Sequence, residues 1–337
     1  MDDREPPPPP DADEAEVLDA VRRAAPWWGL DPVSVSVLSV SENVVCALTE
    51  PDGRRVVVRL HRPGYNTIEQ LRSEVAWVDA LRAEGVPVPT PVATPDGDHY
   101  RPVEMTGGRR YVGVVEWVEG APLGGPVSSG SAGVVAHFGR IGEIAAAVRA
   151  GHARWTAPPG FTRRRWDADG LVGEEPLWGR FWEADGLDPS GRRQLGEARS
   201  VLHRELSALP VGPEHFGLIH ADLHLGNVMA DGERLTAIDF DDSGYGFWPY
   251  EVAVALHPVL DEPFYPEARE GLLAGYRRRH PFEPEEERLV DTFLAVRCSI
   301  IVGWLAARPE LPMHDRFDEL AGAALEVTGR YLRDGHL

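Results

Sequence analysis

The chain is 337 residues long, with 34 basic and 54 acidic groups and a formal charge of −20. That length suits two lobes better than a single core, and the charge argues against nucleic acid or an anionic membrane as partner. The basic residues are all arginine, with no lysine, and two cysteines, Cys46 and Cys298, sit in apolar surroundings without metal-like spacing. They read as reduced core residues of a cytoplasmic protein. No run of eighteen or more apolar residues suggests a membrane span, and the acidic, proline-rich N-terminus is unlike a signal peptide.

Residues 1–13 (MDDREPPPPPDAD) read as a disordered tail, because so polar and proline-rich a stretch buries too little to offset its ordering entropy. Residues 14–25 carry Val17, Leu18 and Val21 at helical spacing, and Trp27-Trp28 are expected to pack this helix onto the first lobe. Strands follow at 33–40, 44–48 and 55–61, separated by turn signals at Ser41-Glu42-Asn43 and Pro51-Asp52-Gly53. In the third strand the period of two puts Val57, Arg59 and His61 on one face and Val56, Val58 and Leu60 on the other. A charge in so apolar a strand needs a partner, since unpaired burial is costly. Residues 67–84 read as a helix opened by a Thr67/Gln70 capping box. Glu74 lies beside its apolar stripe of Ile68, Leu71, Val75, Val78 and Leu81, and is the natural partner of Arg59. After the extended VPVPTPV segment, strands at 100–104 and 110–117 complete a five-stranded antiparallel sheet, and 116–120 read as a hinge.

Beyond residue 121 the pattern turns helical, with helices expected at 134–150, 195–209, 272–279, 286–305 and 317–332. The segment 155–188, rich in tryptophan and containing the run Arg163–Arg165, reads either as a shaper of an acceptor site or as a compact loop held by aromatics. The stretch 220–242, HADLHLGNVMADGERLTAIDFDD, carries the chemistry. A hairpin of strands 228–230 and 235–238, turned on Asp231-Gly232, brings Asn227 and Asp239 side by side, with Asp222 one loop away. An amide oxygen and a carboxylate suit Mg²⁺ carrying a polyphosphate, and the third carboxylate can accept or orient the proton of a hydroxyl nucleophile. Asp241 and Asp242 read as solvated carboxylates rather than ligands.

H-x-D-x-x-x-x-N, followed a dozen residues later by a hydrophobic strand ending in Asp, resembles the aminoglycoside phosphotransferase/choline kinase superfamily. Within it, the chain is similar to bacterial stress-response Ser/Thr kinase A and homoserine kinase type II. The resemblance implies an α+β, bilobal protein-kinase-like fold, with an N-lobe at 14–117 (sheet plus helix) and a mainly helical C-lobe at 118–337. Mg-ATP would bind in the cleft between the lobes.

By that resemblance, Asp222 is the catalytic carboxylate and Asn227 and Asp239 are the metal ligands. Arg59, standing where the family has lysine, grips phosphates with Glu74 as its partner. Val57 roofs the adenine, and Ser41 and Asn43 help hold phosphate. The backbone at Glu116 and Val118 meets the adenine edge. His220 is structural; His224 either lines the acceptor pocket or shapes the loop. Glu251, standing where the family has Asp, is expected to brace the loop less tightly. The acids 261–262 and 285–287 suggest a negative wall for a cationic acceptor. The expected reaction is transfer of the ATP γ-phosphate to a hydroxyl of a small molecule (amino alcohol, sugar or aminoglycoside-like). A protein or peptide acceptor and a non-catalytic pseudokinase, the latter motivated by Arg59, are the alternatives; the lack of a recognisable activation segment between 239 and 251 favours the small molecule.

Overall fold

The computed structural model describes residues 13–124 and 131–337. The tail expected at 1–13 lies outside the described residues except for its last member. Asp13 is no part of a tail: it caps the first helix, accepting the N–H of Ala15 at 3.2 Å. The chain divides into two compact units, one comprising residues up to Glu119 together with Ala157–Thr162, the other Gly120–Thr156 and Arg163–Leu337.

In the first unit, α1 (Glu14–Ala24) precedes β1 (Ser34–Val40), β2 (Val44–Thr49), β3 (Arg55–Leu60), α2 (Ile68–Ala83), β4 (Pro91–Val92), β5 (Tyr100–Met105) and β6 (Gly108–Glu116). The five expected strands are joined by the two-residue β4, formed within the proline-rich segment that reads as merely extended. All pairings are antiparallel, in the order β1-β2-β3-β6-β4, with β5 also on β6. The period of two in β3 holds: Val56, Val58 and Leu60 join Val17, Val21, Cys46, Leu48, Val112 and Val114 in one core. Of the two tryptophans after α1 only Trp28 packs inward, its indole donating to Val92 O at 2.9 Å, whereas Trp27 is 39 % exposed. Leu71, Val75 and Tyr100 form a second cluster. Arg59 and Tyr100 are both register partners of Gly113. A Cβ there would come within 2.7 Å of the Tyr100 ring, so glycine leaves that ring room to settle against the His61 ring, 5.4 Å between centres.

The second unit begins with β7 (Ala121–Pro122), α3 (Ser131–Arg154), β8 (Arg164–Trp166), α4 (Ala168–Val172), α5 (Pro189–Ser207) and β9 (Phe216–Ile219). The hairpin β10 (Val228–Asp231) and β11 (Arg234–Ala237) follows, then β12 (Gly244–Phe247), α6 (Trp248–Leu256), α7 (Tyr265–Arg277), α8 (Pro284–Ala306) and α9 (Phe317–Asp334). Pairing of Asp231 with Arg234 makes Gly232-Glu233 the two-residue turn, one residue on from the expected Asp231-Gly232. Gly232 has φ of 56°, the positive value required at the first position of a type II′ turn.

Two three-stranded sheets, β11-β10-β7 and β8-β12-β9, flank the loops that matter chemically. α8 is long and apolar enough to cross a membrane by composition, yet most of its apolar window is buried within the fold, and it carries the buried polar residues Glu286, Thr292 and Arg297. It is a core helix.

Candidate active site

β9 is buried along its whole length and delivers His220, which has no exposed surface. The loop from His220 to Asn227 then carries an unusual backbone. Among the described residues, only Ala221 (φ 65°) and Asp239 (φ 63°) are non-glycine residues with positive φ. Such conformations persist where surrounding contacts over-determine them, and the contacts are identifiable. Glu251, 2 % exposed on α6, accepts the N–H of His220 on one oxygen and the N–H of Ala221 on the other, both at 2.8 Å. The expected slack brace is therefore a two-point clamp; the longer side chain simply reaches from α6. Burial pushes the Glu251 carboxyl up to about 7, against the pull of those two N–H donors.

The His220 ring links the two strained positions. Its Nε2 donates to Ile238 O at 2.9 Å, immediately before Asp239, and its Nδ1 accepts the N–H of Asp222 at 3.3 Å. Burial depresses the imidazole's affinity for a second proton, which suits one donating and one accepting nitrogen. His220 thus ties the loop to the strand end before Asp239.

Asp222 is held at both oxygens. Arg297 Nη2 donates to Oδ1 at 2.6 Å, and Asn227 Nδ2 donates to Oδ2 at 2.7 Å and to the Asp222 carbonyl at 2.9 Å. His224 Nε2 lies 3.3 Å from Oδ2, while its Nδ1 accepts the N–H of Gly226, so this residue shapes the loop and touches Asp222 together. Burial would push the Asp222 carboxyl up, but the neighbouring His224 and Arg297 outweigh it and hold it well below the carboxylate range.

Asn227 and Asp239 come together as the hairpin requires, Ile238 N–H donating to Asn227 O at 2.9 Å. The Asn227 amide nitrogen is committed to Asp222, which leaves Oδ1 as the atom able to face a cation. One amide oxygen and the half-buried carboxylate of Asp239 make the sparse protein set that Mg²⁺ uses when phosphate and water complete its shell. Among the described residues there is no group of three or more His, Cys, Asp or Glu that would form an all-protein cage. The residues fit a metal–polyphosphate.

The segment after Asp239 is clamped by the arginine run. Arg163, 6 % exposed, donates through Nε to Ser243 O (2.6 Å) and through Nη2 to Asp241 O (2.7 Å) and Phe240 O (3.0 Å). Arg164 pairs with Asp242 at 2.9 Å, and the Trp166 indole donates to Asp242 O at 2.8 Å. Asp241 is 4 % exposed and Asp242 sits in that buried pair, so neither is the solvated carboxylate expected. In sequence the segment reads either as a shaper of an acceptor site or as a compact loop held by aromatics; the contacts of Arg163 and Arg164 hold the segment after Asp239.

In the first unit, Arg59 Nη1 donates to Glu74 Oε1 at 3.2 Å, with side chains 12 % and 7 % exposed. The pair expected from strand and helix periodicity forms. Ser41 is exposed and Val57 half-buried. Asn43 departs from the expected phosphate role: it is 3 % exposed and its amide oxygen accepts the N–H of Arg62 at 3.2 Å, bracing the turn from inside. The Glu116 N–H is taken by Thr90 O at 2.9 Å, so an adenine could meet only the carbonyl of that residue; Val118 is half-buried.

Three of the five acids of the expected wall are paired with arginines. Glu286 is buried against Arg149 at 2.7 Å, Glu285 pairs with Arg288 and Glu287 with Arg277. Sequence reasoning missed Arg297, reading 286–305 only as a helix. The signal was present: an arginine inside FLAVRCSII poses the same problem of buried charge as Arg59 in VVVRL.

A kinase-like fold with Asp, Asn and Asp on a strand–loop–hairpin frame defines a phosphoryl-transfer protein. Residues 35–290 match the phosphotransferase enzyme family, and the chain belongs to that family. Its members move phosphate to hydroxyl groups. Amicoumacin kinase of Bacillus subtilis (strain 168) is 25 % identical over 292 residues, covering 84 % of this chain and 82 % of that protein. The structure of a microcompartment-associated aminopropanol kinase superposes with a TM-score of 0.83 at 29 % identity, covering 94 % of this chain and 98 % of that one. An amicoumacin kinase solved in complex with AMP-PNP, Ca²⁺ and Ami shares the fold, with a TM-score of 0.76 at 22 % identity, covering 94 % of each chain.

Proposed function

We propose that this protein transfers the γ-phosphate of ATP, bound with Mg²⁺, to a hydroxyl of a small amine-bearing molecule such as an amino alcohol. The observation that carries this is the double-anchored Asp222 carboxylate beside Asn227. A carboxylate held at both oxygens and kept deprotonated suits the task of orienting an acceptor hydroxyl more than that of a strong base. Positioning is what phosphoryl transfer chiefly needs, because the loose transition state leaves little covalent work for the protein. Asn227 through Oδ1 and Asp239 through its carboxylate would hold the cation, whose charge neutralises the phosphates. Arg59, fixed by Glu74, is the phosphate-binding cation in the first unit, its fork replacing the point charge of lysine.

The amine-bearing class is supported by relatives named for aminopropanol and amicoumacin, and by Asp261 and Glu262, which remain exposed when the acids of α8 are neutralised. Nucleotide use is supported by the AMP-PNP complex of a fold relative. The test is transfer from γ-labelled ATP to a panel of amino alcohols, sugars and aminoglycosides, with Asp222→Ala protein as blank. Label in an acid-soluble phosphomonoester is expected. Label confined to acid-precipitable protein would replace this reading with a protein kinase. Nucleotide binding without transfer to any acceptor would replace it with a non-catalytic role.

A further inference from the structure

We infer that Arg297, in the middle of α8, is a positioning residue for phosphoryl transfer, acting through Asp222 and fixing the direction of the carboxylate's second oxygen. The inference rests on the reading of Asp222 given above, and the case for Arg297 is geometric. Its guanidinium spans two elements of the second unit: Nη2 donates to Asp222 Oδ1 at 2.6 Å and Nη1 to the Tyr250 hydroxyl of α6 at 3.3 Å. The carbon of the fork lies 4.8 Å from the centre of the Trp178 ring. Only a planar fork with this reach meets a carboxylate, a phenol and an aromatic face at once. Asn227 fixes Oδ2 and Arg297 fixes Oδ1, so rotation of the carboxylate about its own axis is blocked from both sides.

Stability alone does not account for the arrangement. The Arg297 side chain is 7 % exposed, and buried ion pairs often stabilise less than apolar residues of similar size. Its Nε is buried and has no hydrogen-bond partner among the described residues. A buried donor left unsatisfied is costly, and its retention in the middle of an apolar helix points to a task at the loop the arginine reaches. His257 lies in the same neighbourhood: burial and the charge of Arg297 lower its pKa to about 3, so it adds no competing cation beside Asp222.

The test is a double-mutant cycle on the full-length protein, with steady-state phosphate transfer from ATP to 1-amino-2-propanol, or whichever amino alcohol the panel selects. Binding of a fluorescent ATP analogue is measured on the same preparations. Arg297→Ala should lower kcat roughly 100-fold, the scale of a misplaced catalytic group, with the nucleotide Kd changed by less than about threefold. On the Asp222→Asn background the same substitution should cost no further rate, because residues acting as a unit are non-additive. Ethylguanidinium added to Arg297→Ala should restore part of kcat, a recovery that a purely structural role would not produce. If Arg297→Ala does not fold, Arg297→Lys takes its place in the cycle and is expected to keep nucleotide binding while losing kcat. Additive losses in the cycle, or unchanged kcat, would overturn the inference. Full activity of Asp222→Asn alone would instead overturn the reading of Asp222, so the two failures are distinguishable.

Discussion

Arg59 and Arg297 both stand inside apolar elements and both end on a carboxylate, yet the two pairs are built on different scales. Arg59 meets Glu74 fifteen residues away, from a strand to the next helix of the same unit, through a 3.2 Å contact. Arg297 meets Asp222 across 75 residues at 2.6 Å and is steadied by Tyr250 and Trp178. On the proposed reading, the first arrangement would bring a cation to a ligand position, and the second would hold a cation away from ligands to aim a carboxylate. If so, exchange of the cation's shape should cost less at Arg59, where a point charge can still meet phosphate, than at Arg297, where two partners must be met at once. Lysine exchange separates the two.

Arg297→Lys should lose tenfold or more in kcat, since an ammonium cannot reach Asp222 and Tyr250 together. Arg59→Lys, which restores the family's usual residue, should keep transfer within about tenfold, with the change carried mainly by the KM for ATP. Steady-state kinetics of both proteins with one amino alcohol decides this; equal losses would erase the distinction.

The next expected effect is on stability. Arg163→Met leaves three buried carbonyls in the segment after Asp239 without their donor and should cost about 1–3 kcal/mol, read from denaturant unfolding. It should also raise the divalent-metal concentration needed for half-maximal transfer, because Asp239 depends on that segment for its φ of 63°.

A further effect concerns pH. Glu251 has a folded-state pKa raised to about 7 from an ordinary value near 4.5. The folded chain therefore binds the proton more tightly, and this group's stabilisation is full below pH 4.5 and is lost as pH rises through 7. His257 works in the opposite direction: lowered to about 3, it favours the unfolded chain as pH falls below about 6.5. Thermal melts should show that the downward slope of stability between pH 5 and 7.5 contributed by Glu251 disappears in Glu251→Gln. An unchanged slope would remove Glu251 as its source.

The difference in scale between the two arginine pairs also governs what could be read from the sequence. The Arg59–Glu74 pair, the Thr67/Gln70 capping box and the hairpin between Asn227 and Asp239 all follow from local periodicity and turn chemistry. The clamp of Arg163 on residues 240–243 and the reach of Arg297 to Asp222 depend on packing between segments some 75 to 80 residues apart, which no period encodes. Asn43 shows the limit even locally: a polar residue in a turn reads as available to a ligand, whereas the fold turns its amide inward to Arg62. Glu251 shows the converse, because the added methylene reads as a loosened contact and the backbone accommodates it with two hydrogen bonds.

The proposed transfer turns first on Asp222. Transfer from labelled ATP to an amino alcohol should be followed for wild type and Asp222→Asn, with nucleotide affinity measured on the same samples. The prediction is affinity within about threefold and transfer lowered roughly 10³-fold, within the range for loss of a positioned acid–base group. Transfer at the wild-type rate with nucleotide bound equally well would contradict it.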